Sequence, residues 1–474
     1  MEILVLEAST VSAKATVFDL EKGIVDSRSK PFATDVLTTA EHDIHRVIDT
    51  LLEMGGSVAA GHDIQAIGCV CTGHSSLFLD SALAPISPAY TWTYNHGTEL
   101  TRAIRADHAL TRKLYQESGC MVHTIYPLYR SMYLRETTDL PVDSSYIVSE
   151  GSYIFYYLTG ERAESESVAT TSGFANISTL VWSEAIAEFS GIATSQFFPI
   201  RSNHYAAPLR AEAAQRLQVK AGIPVSVPMM DGALNQLGAG MIGAGKMTVS
   251  IGTSGAMRVT SDHPILPERM GTWCYNTLDK YLCGATISGA TNCVDWFRRG
   301  YLPDRSYADL EEMIRIPQED APIFLPFLFG ERCPGWQDER AGGFFDVKDQ
   351  HTPADLYTAI LEGIVFNLYQ NYDILSSAGG TPEEIHLSGG VLNSAKWAQM
   401  VADIFGHAMT TNTFAQIATV GAACLAFEQC GGVKSAVDYH LPLSTVRVIQ
   451  PDMERHAHYQ KRFARYLDIY EKNK

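Results

Sequence analysis

Short apolar runs divided by small polar turns open the chain. Ile3-Leu-Val-Leu6 has the pattern of a buried strand, Glu7-Ala-Ser-Thr-Val-Ser12 is small and polar, and Ala15-Thr-Val-Phe18 resumes the apolar run. That spacing predicts strand, turn, strand. The signature returns about half a chain later, as Met247-Thr-Val-Ser-Ile251, Gly252-Thr-Ser-Gly255 and Ala256-Met-Arg-Val259. Two hairpins with hydroxyl-bearing tips predict a duplicated α/β architecture. A boundary in the glycine-rich stretch 240–246 gives domains 1–243 and 244–474.

Helical patterns follow in the second half. Thr352 fits a cap, Pro353 the first helical position, and Asp355 lies three residues after the cap, with Leu356, Ile360, Ile364 and Leu368 forming one apolar face. A strand at 385–387 leads through Gly389-Gly390 to a helix after Ser394, with Trp397, Val401, Ile404 and Phe405 at helical spacing and Gly406 as its stop. Upstream, Val225, Val227 and Met229 alternate, predicting a half-buried strand that ends at Asp231, ahead of a helix at 233–240.

Composition narrows the function classes. A chain of 474 residues that is 46% hydrophobic and 19% charged has the make-up of a packed protein of two or three domains, not a disordered one. Thirty-six basic against 53 acidic residues leave a formal charge of −17, which argues against a broad nucleic-acid-binding face. Small anions held by local backbone amides remain compatible with that charge. The nine cysteines form no CxxC pair and no zinc spacing, so reduced thiols in a cytoplasmic protein are expected. The start lacks a basic n-region, and the pale stretch 225–245 is broken by Asp231, Asn235 and Gln236, so neither a signal peptide nor a membrane partner is expected.

Three elements could carry chemistry. Thr10 and Ser12 in the first tip, and Gly252, Thr253 and Ser254 in the second, suit a phosphate cradle of turn amides and hydroxyls. Each tip alone is more often an ordinary turn; facing each other across a cleft, they could clamp a triphosphate. Gly389 and Gly390, between a strand and a helix, allow close backbone approach to a ligand. They form no GxGxxG, and no acid follows about twenty residues on, which disfavours a nicotinamide-dependent dehydrogenase. Asp231, at the C-terminal end of a strand, could accept a proton from an attacking hydroxyl or could simply cap its helix.

These stretches, in order, resemble the FGGY carbohydrate kinases of the actin-like ATPase superfamily, nearest the xylulose and gluconate kinase branches. The resemblance runs through Glu7-Ala-Ser-Thr-Val-Ser-Ala-Lys14, Gly73-His-Ser-Ser-Leu-Phe-Leu-Asp80, Tyr157-Leu-Thr-Gly160 and Ser167-Val-Ala-Thr-Thr-Ser-Gly173. It continues through Met230-Asp-Gly232, Ile251-Gly-Thr-Ser-Gly255, Leu325-Pro-Phe-Leu-Phe-Gly-Glu-Arg332, Glu362-Gly-Ile364 and Leu387-Ser-Gly-Gly390. It implies two ribonuclease-H-like domains closing around ATP, Mg²⁺ and a small sugar, polyol or sugar acid. By the same resemblance, Asp231 is the catalytic base, and Thr10, Ser12, Lys14, Gly252, Thr253 and Ser254 serve the phosphates. Gly389, Gly390 and Asn393 line the adenosine pocket, Glu7 holds Mg²⁺ through water, and His74 and Trp92 join Asp231 at the substrate. A lone histidine is usually structural, so the role of His74 rests on the resemblance. Many relatives are dimers, which makes a homodimer the assembly to test.

The motifs also depart from the family pattern. Glu7 stands for the usual Asp, Ser9 for Gly, Gln416 for a common Glu, and Tyr94 and His96 replace an acid–base pair on the sugar side. A second reading of the same residues is a nucleotide switch like actin or a chaperone, or an inactive relative that senses a sugar.

Overall fold

The structure is a computed structural model that describes residues 1–32, 38–316, 320–411, 416–439 and 446–473. Two sheets repeat one strand order. In the first, Gly23–Pro31, Ser12–Asp19 and Glu2–Ala8 form an antiparallel meander, and Glu2–Ala8 pairs in parallel with Ile64–Cys71, beside which lies Pro224–Ser226. In the second, Lys280–Ile287, Gly255–Ser261 and Lys246–Ile251 form the meander, followed in parallel by Glu384–Ser388 and Met409–Thr411. The two hairpins read from the sequence therefore start equivalent sheets, and the fold is the duplicated α/β architecture.

The first strand shows why its apolar run is unbroken. Ile3 and Val5 pack into the core shared with helix Ile417–Gln429, whereas Leu4 and Leu6 pack with helix Ile44–Ala59. A strand covered on both faces needs apolar residues at every position rather than at alternate ones. The same reason corrects the reading of 225–229. Val225, Val227 and Met229 are fully buried, and the segment splits at Val227-Pro228 into Pro224–Ser226 and Met229–Met230. Proline cannot donate to a ladder, so the strand breaks there. The next helix is Asp231–Gly238, so Asp231 opens it instead of preceding it.

Helix Ile417–Gln429 comes late in the chain yet lies on the first sheet and against Asp231–Gly238. Glycine permits this approach. A Cβ on Gly421 would meet the Leu234 carbonyl oxygen at 2.1 Å, and one on Gly238 would meet that of Ile417 at 2.0 Å. The long insertion between the parallel strands of the first sheet reaches the edge strand of the second, Trp273–Thr277. Tyr126 and Tyr275 share a hydroxyl–hydroxyl bond of 3.0 Å, and the Asn276 N–H donates to Thr170 Oγ1 over 3.0 Å. The two sheets are thus bridged on one side of the gap between them.

The two predicted helices form as expected. Pro353–Gly379 carries the Thr352–Asp355 capping box, and Ala395–Phe405 is capped by Ser394 and ends at Gly406, whose φ is +63°. All nine cysteines are free, eight of them buried.

Candidate active site

Two cavities meet where the hairpin tips face each other. The first, ≈ 280 Å³, has Asp231, His74, Trp92, Thr10, Arg258 and Arg332 in its walls. The second, ≈ 1010 Å³, is lined by Gly252, Thr253, Gly389, Gly390 and Asn393. Ser254, at the second tip, lines both. Helix Asp231–Gly238 also serves both, with Asp231 in the first cavity and Asn235, one turn on, in the second.

Asp231 does not cap its helix. Its carboxylate accepts only from the Gly232 N–H, at 2.6 Å, and is otherwise open to the cavity. The protein packed around the cleft raises its pKa, and the nearby negative charge of Glu7 adds to this, while Arg258 and the Gly232 N–H act in the opposite direction. A desolvated carboxylate of this kind is a stronger proton acceptor than one in water.

His74 sits in the left-handed region at φ +64°. Its Nδ1 lies 2.8 Å from the Thr171 carbonyl oxygen, which can only accept, so Nδ1 carries the proton. Burial pushes its pKa down to about 3, against the pull of that hydrogen bond and with help from nearby Arg332. The ring is neutral and Nε2 is an acceptor. Edge contacts with Tyr126 and Tyr275, at 5.3 and 5.6 Å between ring centres, hold it in place.

The first tip is gripped from two sides. Trp92 donates its indole N–H to Thr10 Oγ1 over 2.8 Å, and His42 Nε2 meets the Thr10 carbonyl at 2.9 Å. The other nitrogen of His42 lies 3.1 Å from Glu150 Oε1, and both side chains are buried. Ser9 has turned its hydroxyl into the loop, accepting from the Ser12 N–H at 3.1 Å and donating to the Ser12 carbonyl at 2.9 Å. The extra side chain relative to glycine is thereby accommodated within the turn. At the second tip, the Thr291 N–H at a helix start donates to the Gly252 carbonyl over 2.8 Å. Gly389, at φ +95°, leaves no room for a side chain, since a Cβ would lie 2.5 Å from the Ile251 carbonyl oxygen.

Other expected residues lie beside the cavities rather than in their walls. Glu7 and Lys14 are cross-strand partners with a 3.2 Å ion pair, and Thr419 of the late helix donates to the same Glu7 oxygen, Oε2, over 2.8 Å. Ser12 turns to Ser9, with 3.0 Å between the hydroxyls. Tyr94 and His96 do not line the acceptor cavity. Tyr94 is buried against Tyr90, 4.8 Å between ring centres, and His96 is exposed beside it. Gln416 stands at the head of helix Ile417–Gln429, with its buried Oε1 lacking a partner among the described residues.

Sequence reasoning missed Arg258, Asn235 and the aromatic wall of Trp273, Tyr275 and Trp336. A charged residue between the apolar Met257 and Val259 of strand Gly255–Ser261, just past the second tip, was the available signal for Arg258. Helical spacing from Asp231 was the signal for Asn235.

Two sheets of common order, each presenting a small-residue hairpin tip to a shared cleft with a carboxylate, define a two-lobed phosphotransferase of the actin-like ATPase fold. Residues 2–238 match the N-terminal domain and residues 247–430 the C-terminal domain of the FGGY family of carbohydrate kinases, and the chain belongs to that family. It is 25% identical over 455 residues to a gluconokinase of Bacillus subtilis (strain 168), covering 91% of this chain and 88% of that one. It is 24% identical over 431 residues to a xylulose kinase of Escherichia coli (strain K12), covering 89% and 88%. Among solved structures, a ligand-bound xylulose kinase from Lactobacillus acidophilus superposes with a TM-score of 0.94 at 24% identity, over 99% of this chain and 98% of that one. Plasmodium falciparum glycerol kinase with ADP gives 0.86 at 19%, over 100% and 98%. No helix among the described residues is long and apolar enough to cross a membrane.

Proposed function

We propose that the protein transfers the terminal phosphoryl group of ATP to a hydroxyl of a small open-chain sugar, polyol or sugar acid, with Asp231 as the base. The observation that carries this reading is the join between the cavities at Ser254, which gives an acceptor held beside Asp231 direct access to a phosphate chain cradled by Gly252, Thr253 and Ser254. Asp231 orients the attacking hydroxyl and takes its proton as the bond to phosphorus forms. Neutral His74 accepts a hydrogen bond from a sugar hydroxyl at Nε2. Trp92 and the other aromatic side chains supply an apolar wall that excludes water and limits transfer to it. Thr10 approaches the transferred group from the first lobe, while Gly389, Gly390 and Asn393 border the nucleoside.

Mg²⁺ fits this donor set. Among the described residues no cluster of three or more His, Cys, Asp or Glu side chains could cage a metal. Magnesium is commonly held by one or two carboxylates, water and nucleotide phosphates, which suits Glu7, whose Oε1 has no hydrogen bond among the described residues. Bound there, the ion would neutralise phosphate charge. Lys14 and Thr419 fix the Glu7 carboxylate.

The test is ADP release across aldonates, polyols, pentuloses and hexuloses, with Asp231→Asn as control. The reading expects acceptor-dependent release that falls by about 10³-fold in the variant while nucleotide binding survives. Release that ignores added acceptor would defeat it.

A further inference from the structure

The lining of the acceptor cavity carries one more cation than anion, with Asp338 near Arg332 but outside the lining. It contains two guanidiniums, Arg258 and Arg332, and one carboxylate, Asp231, while His74 is neutral. Other buried arginines of this chain use their terminal nitrogens fully, although the Nε of Arg130 and of Arg340 also lacks a partner. Arg340 pairs with Glu331 at 2.7 Å, Arg462 with Glu362 at 2.8 Å, and Arg130 donates to the carbonyls of His74, Thr91 and Ile125. Arg258 differs. Its Nη1 is buried without a hydrogen-bond partner, and Asp231 acts on it through space without a recorded ion pair among the described residues. Its Nε packs against Gly232, 2.9 Å from where a Cβ would be, so the guanidinium is anchored beside the cavity floor. Arg332 lies 4.8 Å over the Trp92 ring, whose negative face attracts it.

Burying a guanidinium with an empty donor costs free energy unless a ligand completes it, and a bidentate carboxylate does so best. Arg258 lines the acceptor cavity and not the nucleotide cavity, which favours the acceptor over the phosphate chain as its partner. We propose that the acceptor is an open-chain sugar acid and that Arg258 is the specificity-determining residue that pairs with its carboxylate. The inference rests on the kinase reading above and narrows its substrate class. A neutral ketose or polyol offers Arg258 only a hydroxyl or carbonyl acceptor and no counter-charge, so the same site would favour the acid over it.

The experiment measures ADP release by the full-length protein at mildly alkaline pH. Hexonates and pentonates are compared with alditols and ketoses of matched chain length, in wild type, Arg258→Met and Arg258→Lys. The expected wild-type kcat/KM for the best acid exceeds that for the best neutral acceptor by about 100-fold. Arg258→Met should lower that ratio by a similar factor, mainly through the KM of the acid, and Arg258→Lys should restore part of it. A wild type that uses neutral acceptors as well as acids overturns the proposal, whether or not the methionine variant folds. So does a variant that loses acids and neutral acceptors by one common factor, which would make Arg258 an accessory of Asp231 or of the transferred group. ADP release with no acceptor of either kind would instead remove the kinase reading itself.

Discussion

The indole N–H of Trp92 donates to the hydroxyl of Thr10 across 2.8 Å, joining two residues 82 positions apart at the mouth of the acceptor cavity. One side of the indole carries Arg332 and its edge holds the first phosphate-facing tip. An acceptor seated against Trp92 is thereby placed relative to the same tip that meets the phosphate.

Trp92→Phe keeps a smaller aromatic face and removes the donor. A single hydrogen bond of this kind is worth about 1 kcal/mol, so a fall of roughly fivefold in kcat is expected, with thermal stability nearly unchanged. Steady-state kinetics and a melting curve on the same preparation check it. A rise in acceptor KM alone would show that the bond to Thr10 does not align the tip.

His74 gives a signature in acid. Its folded-state pKa, pushed down to about 3, lies below the ordinary value of 6.5, so the unfolded chain takes up a proton first as pH falls. The neutral ring therefore contributes stability above 6.5 that is lost as pH drops toward about 3. In His74→Gln the loss of stability between about pH 7 and pH 4 should be shallower than in wild type, as read from urea midpoints. Imidazole nitrogen NMR should show the Nδ1–H tautomer persisting well below pH 6.5.

Asp231 sets the acid limb of the rate profile. Burial and Glu7 raise its pKa, and the base works only when ionised, so kcat/KM should fall on the acid side at a pH above the ordinary carboxylate range. Arg258 holds that pKa down, so Arg258→Met should move the limb to higher pH. A limb that stays put in the variant would mean that the two charges do not communicate across the cleft.

The contact between Asp231–Gly238 and Ile417–Gln429 tolerates no side chain. Gly421→Ala should destabilise by about 1–3 kcal/mol, because its Cβ meets the Leu234 carbonyl oxygen at 2.1 Å and backbone must move. Activity should fall with it, since Asp231 heads the displaced helix. Gly300→Ala, with nothing within 4 Å of the new Cβ and a place in helix Thr291–Tyr301, should instead be neutral or stabilising. Urea titrations of the two variants decide.

Much of the site was legible because its parts are local. The hairpin tips, the Gly389-Gly390 turn and the capped helix after Thr352 are each written in a few adjacent residues, where glycine, hydroxyls and proline constrain the backbone directly. The alternation at 225–229 misled because a strand buried on both faces also presents apolar residues at alternate positions. The motif left open whether Tyr94 and His96, which replace an acid–base pair of the sugar side, face the cleft; the chain beyond Trp92 turns Tyr94 into the packing around Tyr90.

The amino-acid order alone determined the two equivalent hairpins, the small residues at their tips and a carboxylate at a strand end, because these follow from backbone sterics and short-range hydrogen bonding. Tertiary structure alone decided which charges share a space. Glu7 receives Thr419 from 412 positions away, and Arg258 comes to lie beside Asp231 with a donor left over. Coulomb interactions and desolvation depend on distance through space and on what surrounds a group, and neither quantity can be read from separation along a chain.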